Sequence, residues 1–323
     1  MSSVFPHLPR RDMTTFRVAL ALGVVVVGLL TLLRLFPLAL VAAALVVPLL
    51  TVVYLLDVDL YEDAPALMLA FTIVWGAATG LGAGLTAREI GRQEGVIAAG
   101  LTGRLVLLLG VVLPIASAAL MLLGPLILLP NRRFNDVLDG TTFGAASAVS
   151  FVGAEILANS AEFLASGVTS NGSAVEWLIR LMTLAVAMPL LAAAAIGAAA
   201  GALWLRYCAP VRDRGALGPL GLPVVVVPAA AALLSVAALI QIHLDGLAAL
   251  ALVSGLALMS LLPLRRVIQV GLLEEAGERA IGPEFACPNC GRDTPRHTFC
   301  GHCGVSLRAL PKAGGRLPHG GRR

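Results

Sequence analysis

Apolar residues in this chain come in long, nearly unbroken runs, without the alternation of a half-buried strand or the narrow stripe of a soluble amphipathic helix. A helix that crosses the hydrocarbon of a bilayer needs about 20 mostly apolar residues. Stretches of this kind run from Val18 to Leu33, Leu38 to Leu56, Ala66 to Leu85, Leu105 to Leu129, Phe143 to Phe163, Leu181 to Leu205, Pro223 to Ile242 and Leu247 to Leu264. They predict an all-α polytopic membrane protein of about eight spans, with the first two and the last two paired as hairpins. Pro48, Pro114, Pro125, Pro189 and Pro228 fall inside these runs. They predict kinks and not breaks, because neighbouring helices can pair the carbonyls that proline leaves free. Gly76, Gly80 and Gly84 recur at four-residue spacing in the third run, and Gly197 and Gly201 in the sixth. Such stripes let helix backbones approach closely, and packing suffices to explain them.

Composition agrees with the pattern. Of 323 residues 58% are hydrophobic and only 13% charged, far from the balance of a soluble domain. Lysine occurs once, at Lys312, and arginine supplies the remaining basic charge, a bias of the kind GC-rich bacterial genomes produce. The net charge of +4 does not point to nucleic acid, since the arginines flank apolar runs, where the positive-inside rule accounts for them. The first run follows Arg10, Arg11 and Arg17 as a secretory signal would, but no small-residue cleavage site follows, so it reads as an uncleaved span. With the N-terminus inside, the inner segments hold Arg10, Arg11, Arg17, Arg132, Arg133, Arg206, Arg212, Arg214, Arg265 and Arg266, against Arg34, Arg88, Arg92, Arg104 and Arg180 outside. This places the protein in the cell membrane with both termini cytoplasmic.

The domain plan that follows is a cytoplasmic segment at 1–17, a helical membrane domain at 18–264, a linker at 265–285, a cysteine module at 286–308 and a basic end at 309–323. In the module, Cys287-Pro-Asn-Cys290 and Cys300-Gly-His-Cys303 form two CxxC knuckles nine residues apart. That spacing lets four thiolates converge on one tetrahedral zinc, and Gly291 and Gly304 sit where each knuckle's turn needs a positive φ. Two disulfides would require an oxidising compartment, whereas the orientation puts this segment in the reducing cytosol. The segment resembles the short zinc ribbons found at the termini of bacterial membrane proteins. Four cysteines close a structural site and leave no open position for a catalytic water. His297 and His302 are spare ligands, and Cys208 reads as a small apolar filler. The end carrying Arg308, Lys312, Arg316, Arg322 and Arg323 suits either anionic headgroups or a solubilising tail.

Ionisable groups at membrane depth are costly and are functional candidates by default. Glu155, Asn159 and Glu162 fall at i, i+4 and i+7 of the fifth run and share one helix face, which predicts a polar stripe toward the bundle interior. The seventh run ends in Gln241, His243 and Asp245, an imidazole and a carboxylate able to ligate a metal or move protons. The stretch from Tyr54 through Asp57, Asp59, Tyr61, Glu62 and Asp63 to Pro65, Phe71 and Trp75-Gly76 resembles the acidic loop and following helix of PrsW-type intramembrane metalloproteases. Asp139-Gly140, Phe143-Gly144-Ala145 and Phe151-Val152-Gly153-Ala154-Glu155 resemble the family's FxxxE segment. The resemblance spans most of residues 50–250 and makes Glu155, His243 and Asp245 the candidate catalytic set.

The chain departs from that family at two motifs. Where EExxK would stand, the fourth run reads Leu113-Pro-Ile-Ala-Ser117-Ala-Ala-Leu-Met121, and Gln241 occupies the first position of HxxxD, with His243 two residues on. That shift turns the imidazole by about 200° around the helix. A zinc protease needs roughly three ligands and a base. The favoured expectation is therefore a PrsW-like protein that has lost catalysis and binds a transmembrane partner, with the zinc ribbon as a cytosolic docking module and no second zinc in the membrane. The alternatives are an active protease with a rearranged site, and a transporter or channel built on Glu155 and Glu162. No P-loop, dinucleotide fingerprint or GxSxG elbow is present in the sequence.

Overall fold

The computed structural model describes residues 14–58, 66–93, 102–131, 136–165, 173–208, 218–278, 285–294, 299–300 and 302–307. Arg10, Arg11, Asp59, Glu62, Asp63, Arg132, Arg133, Arg212, Arg214, His297 and the basic end lie outside these residues, as do the side chains of Asp57 and Glu162. The chain divides into two units, a larger one that holds the helices up to Gly271 and a smaller one that holds the cysteine segment.

The larger unit contains eight helices long and apolar enough to cross a membrane. They are α1 (Thr14–Leu32), α2 (Phe36–Val58), α3 (Ala66–Gln93), α4 (Gly103–Leu128), α5 (Val137–Ala165), α6 (Ala174–Tyr207), α7 (Pro223–His243) and α8 (Gly246–Glu278). Each coincides with one of the eight apolar runs. Tight turns join α1 to α2, where Arg34 takes φ 58°, and α7 to α8, where Gly246 takes φ 64°. The largest displacement is at α8, which continues to Glu278 through two thirds of the stretch read as a linker, while α3 runs eight residues past its predicted end and α6 begins seven before its predicted start. The last turns of α8 change from apolar to charged residues without breaking the helical backbone.

Helix α5 is the axis of the bundle and packs against α2, α3, α4 and α6. Of its most apolar stretch 83% is buried, against 6% for α1. That difference explains why α5 is the least apolar of the eight: shielded from lipid, it can carry Thr141, Thr142, Ser147, Ser150 and Ser160 as buried residues. Thr141 and Ser160 donate their hydroxyls back to the carbonyls of Leu138 (2.9 Å) and Ile156 (2.7 Å), so they bring no unpaired polar group into the core.

The glycine stripe of α3 is what lets α5 lie so close. A methyl group on Gly76 or Gly80 would drive into the backbone carbonyls of Ser147 and Phe151, and one on Gly84 would meet the Ala158 methyl and the Glu155 carbonyl. Gly82, between them in sequence, faces open space. On the other side of α5, Gly144 meets Ile196 and Gly197 of α6, and Gly201 meets Thr141. Gly140 leaves room for the fully buried Trp204, whose ring lies edge-on to Phe143 with centroids 6.3 Å apart.

Three of the prolines are accommodated in two ways. Pro125 has no N–H for the Met121 carbonyl four residues back. The Ser147 hydroxyl of α5 donates to that oxygen at 2.9 Å, and one residue earlier the Trp75 indole of α3 donates to Leu120 at 2.9 Å. Gly124 provides the gap in which the indole lies. Pro114 and Pro189 instead each follow a π-helical turn by two residues, Leu108–Val112 in α4 and Thr183–Ala187 in α6. In each case the N–H just before the proline reaches back five residues, from Leu113 to Leu108 and from Met188 to Thr183. This leaves Leu109 and Gly110, and likewise Leu184 and Ala185, without their usual helical donors, and widens the turn where the proline ring would otherwise clash. Against the first of these turns packs the end of α7, since Leu239 and Ile242 fill the space beside Gly110.

If the α3–α5 contact holds the bundle, Gly80→Ala lowers the detergent melting temperature while Gly82→Ala leaves it unchanged. Ser147→Ala should cost about 0.6–1.7 kcal/mol, the range of single hydrogen bonds in membrane helices. Equal effects of the two glycine substitutions would contradict this account of the packing.

Candidate metal centre

The cysteine unit begins with β1 (Phe285–Ala286), which pairs antiparallel with β2 (Asp293–Thr294) so that Phe285 faces Thr294 and Ala286 faces Asp293. The chain between them is the first knuckle. The Cys287 N–H donates to the Arg292 carbonyl and the Gly291 N–H to the Cys287 carbonyl, both at 2.8 Å. The second knuckle repeats this pattern thirteen residues later. The Cys300 N–H donates to Val305 at 2.9 Å, the Gly304 N–H donates to Cys300 at 2.8 Å, and Phe299 bridges to Ser306 as Ala286 does to Asp293. Gly291 and Gly304 occupy the same place in each copy at φ 71° and 68°, where a side chain would be strained.

The repeated fold brings the four sulfur atoms together. All lie within 4.8 Å of one another, and none is in a disulfide. Across the knuckles Cys287 and Cys303 are 3.7 Å apart and Cys290 and Cys300 3.8 Å. Sulfurs bound at 2.3 Å to one tetrahedral metal are about 3.8 Å from each other, whereas a disulfide needs about 2.05 Å. The four cysteines therefore form a cluster able to coordinate a metal ion.

Surrounding polar groups suit thiolates. The His302 N–H points to the Cys300 sulfur at 3.4 Å, and the Asn289 amide donates to Cys303 at 3.6 Å. Burial opposes ionisation of the Cys300 thiol, but the N–H groups of Cys303 and His302, together with the neighbouring sulfurs, outweigh it and hold the thiol down at about 6. Burial, and the proton shared with the Cys300 and Cys290 sulfurs, push Cys303 up to about 12. A metal ion supplies the positive charge that lets all four ionise together. His302 enters through its backbone N–H, and its side chain is not among the gathered ligands.

The membrane candidates are arranged differently. Glu155 lies half-buried on α5. Its backbone packs against Gly84 of α3. Asn159 is exposed, so the predicted stripe turns outward there instead of continuing into the interior. The residues on either side of it, Ala158 and Ser160, stay buried. His243 and Asp245 stand exposed at the α7–α8 turn, with His243 Nδ1 2.9 Å from the Leu239 carbonyl. Gln241 points its amide at the Met188 sulfur of α6 at 3.2 Å. Among the described residues the four cysteines are the only group of three or more His, Cys, Asp or Glu side chains close enough to share a metal. Cys208 donates to the Leu129 carbonyl at 3.3 Å, joining the ends of two helices, a role its apolar setting in the sequence did not announce.

Comparison with protein-family models, curated proteins and solved structures finds no match.

Titration with Co2+ should give one equivalent bound per chain, with the absorption of a tetrahedral tetrathiolate site. His302→Ala should leave that spectrum intact and Cys300→Ser should abolish it. Acidification should release the ion as protons compete for the four thiolates. A spectrum that shifts in His302→Ala would show that the imidazole is a ligand.

Proposed function

We propose that this multi-pass membrane protein is a PrsW-like bundle that has lost hydrolysis and works by binding a transmembrane segment of another protein, while its four cysteines hold one structural zinc in a docking module. The reading rests on the contrast between its two sets of candidate ligands. Cys287, Cys290, Cys300 and Cys303 converge at the spacing of one tetrahedral ion. Glu155, His243 and Asp245 do not gather into such a group, and the fourth span offers no acidic partner for them. Zinc hydrolysis requires about three protein ligands, a water and a base in one place. A tetrathiolate with every position filled folds its segment without activating water.

The orientation completes the proposal. The arginine distribution puts both termini in the cytoplasm, where thiols stay reduced and available to metal. A reporter active only outside the cytoplasm, fused after Arg323, is expected to give no signal, and an active fusion would overturn the topology.

Reconstituted protein is expected to leave helical membrane substrates uncleaved with or without added zinc. Glu155→Gln should retain the fold, because the amide keeps the shape of the carboxyl without a charge to desolvate. Zinc-dependent cleavage abolished by Glu155→Gln would establish the rearranged protease instead.

A further inference from the structure

The two knuckles share one backbone but not one environment. Cys287 and Cys300 are buried, Cys303 is partly covered, and Cys290 is exposed. The hydrogen bonds to sulfur separate the second knuckle from the first. Cys300 receives the His302 N–H and Cys303 the Asn289 amide, whereas no described N–H donates to Cys287 or Cys290, and of these two only Cys290 is exposed. Donors withdraw charge from a thiolate and weaken it as a nucleophile, as outer groups do for other metal ligands. Cys290 thus combines open access with a sulfur that no described N–H holds.

We propose that Cys290 is a modification site, the thiolate that a peroxide oxidises first, and that its oxidation opens the metal centre by linking Cys290 to Cys300. The inference rests on the metal-bound reading of the cluster. In the first step the Cys290 sulfur attacks one peroxide oxygen, the O–O bond breaks, hydroxide leaves, and the sulfur becomes a sulfenic acid. The sulfenic oxygen lies toward solvent, so an in-line attack on the sulfur comes from the protein side. Cys300 is there, buried, with its sulfur 3.8 Å away. Its thiolate forms the S–S bond, the S–O bond breaks and a second hydroxide leaves. Two thiolates have given up two electrons and the peroxide has taken them, and two protons from the buffer turn the two hydroxides into water. The metal is left with two of its four ligands and dissociates, and because the metal's binding energy is folding energy, the ribbon unfolds with it. The linkage joins the knuckles and leaves Cys287 and Cys303 as a second pair 3.7 Å apart.

The test uses the full chain in detergent, with its metal counted first. Trace iodoacetamide should label Cys290 ahead of the other ribbon cysteines. Substoichiometric hydrogen peroxide should release metal to a colorimetric chelator in step with a Cys290–Cys300 disulfide mapped by mass spectrometry. Asn289→Ala, which removes one donor from Cys303, should raise the labelling of Cys303 toward that of Cys290. First labelling at Cys303, a disulfide confined to one knuckle, or oxidation that leaves the metal bound would each overturn the proposal. A chain isolated without metal would contradict the metal reading itself, and the order of labelling would still decide whether Cys290 is the reactive thiol.

Discussion

The membrane unit depends on how near α3 comes to α5. Lipid gives apolar helices no hydrophobic reason to associate, so cohesion comes from close packing and from hydrogen bonds between helices. At Gly76 and Gly80 the two backbones approach so closely that no side chain fits between them. Trp75, beside Gly76, reaches α4 from this contact, and Ser147, opposite Gly76, does the same from α5. Both end on consecutive carbonyls of α4 next to Pro125. Three helices are thus fixed at one level by a glycine, a proline and two side-chain donors.

This arrangement also explains where polarity is tolerated. Helix α5 carries serines, threonines and Glu155 because its neighbours exclude lipid from most of its surface. Helices α1 and α8 meet lipid along most of their length and stay apolar within it. The π-helical turns before Pro114 and Pro189 follow the same logic, since a proline in lipid requires that the turn before it be reshaped or its free carbonyl be paired by a neighbour.

Much of this was legible in the sequence. Run length alone places all eight spans, because a helix surrounded by lipid must be apolar across the whole hydrocarbon. The spacing of Gly76, Gly80 and Gly84 gives a packing face, although the partner on α5 has no local signature. The proline positions indicate where helices must adapt but not how: Ser147 lies 26 residues from the carbonyl it pairs, and nothing near Pro114 announces a π turn. Asn159 shares a helical face with Glu155 in sequence, yet it is exposed where Ala158 and Ser160 beside it are buried. The two CxxC knuckles were readable because each is a local turn with its own glycine. Their unequal burial was not, since the CxxC spacing is the same in both.

The cysteine cluster is complete within about twenty residues, whereas any membrane site must be assembled from helices far apart in sequence, and its candidate residues are left on separate elements. The central claim is that the protein's metal chemistry lies in its last segment and not among its helices. Metal analysis of full-length protein beside protein ending at Glu278, both purified in detergent without added metal, tests this most directly. The account predicts about one zinc per full-length chain and essentially none in the shortened one. Near-stoichiometric zinc that persists without the cysteine segment would contradict it.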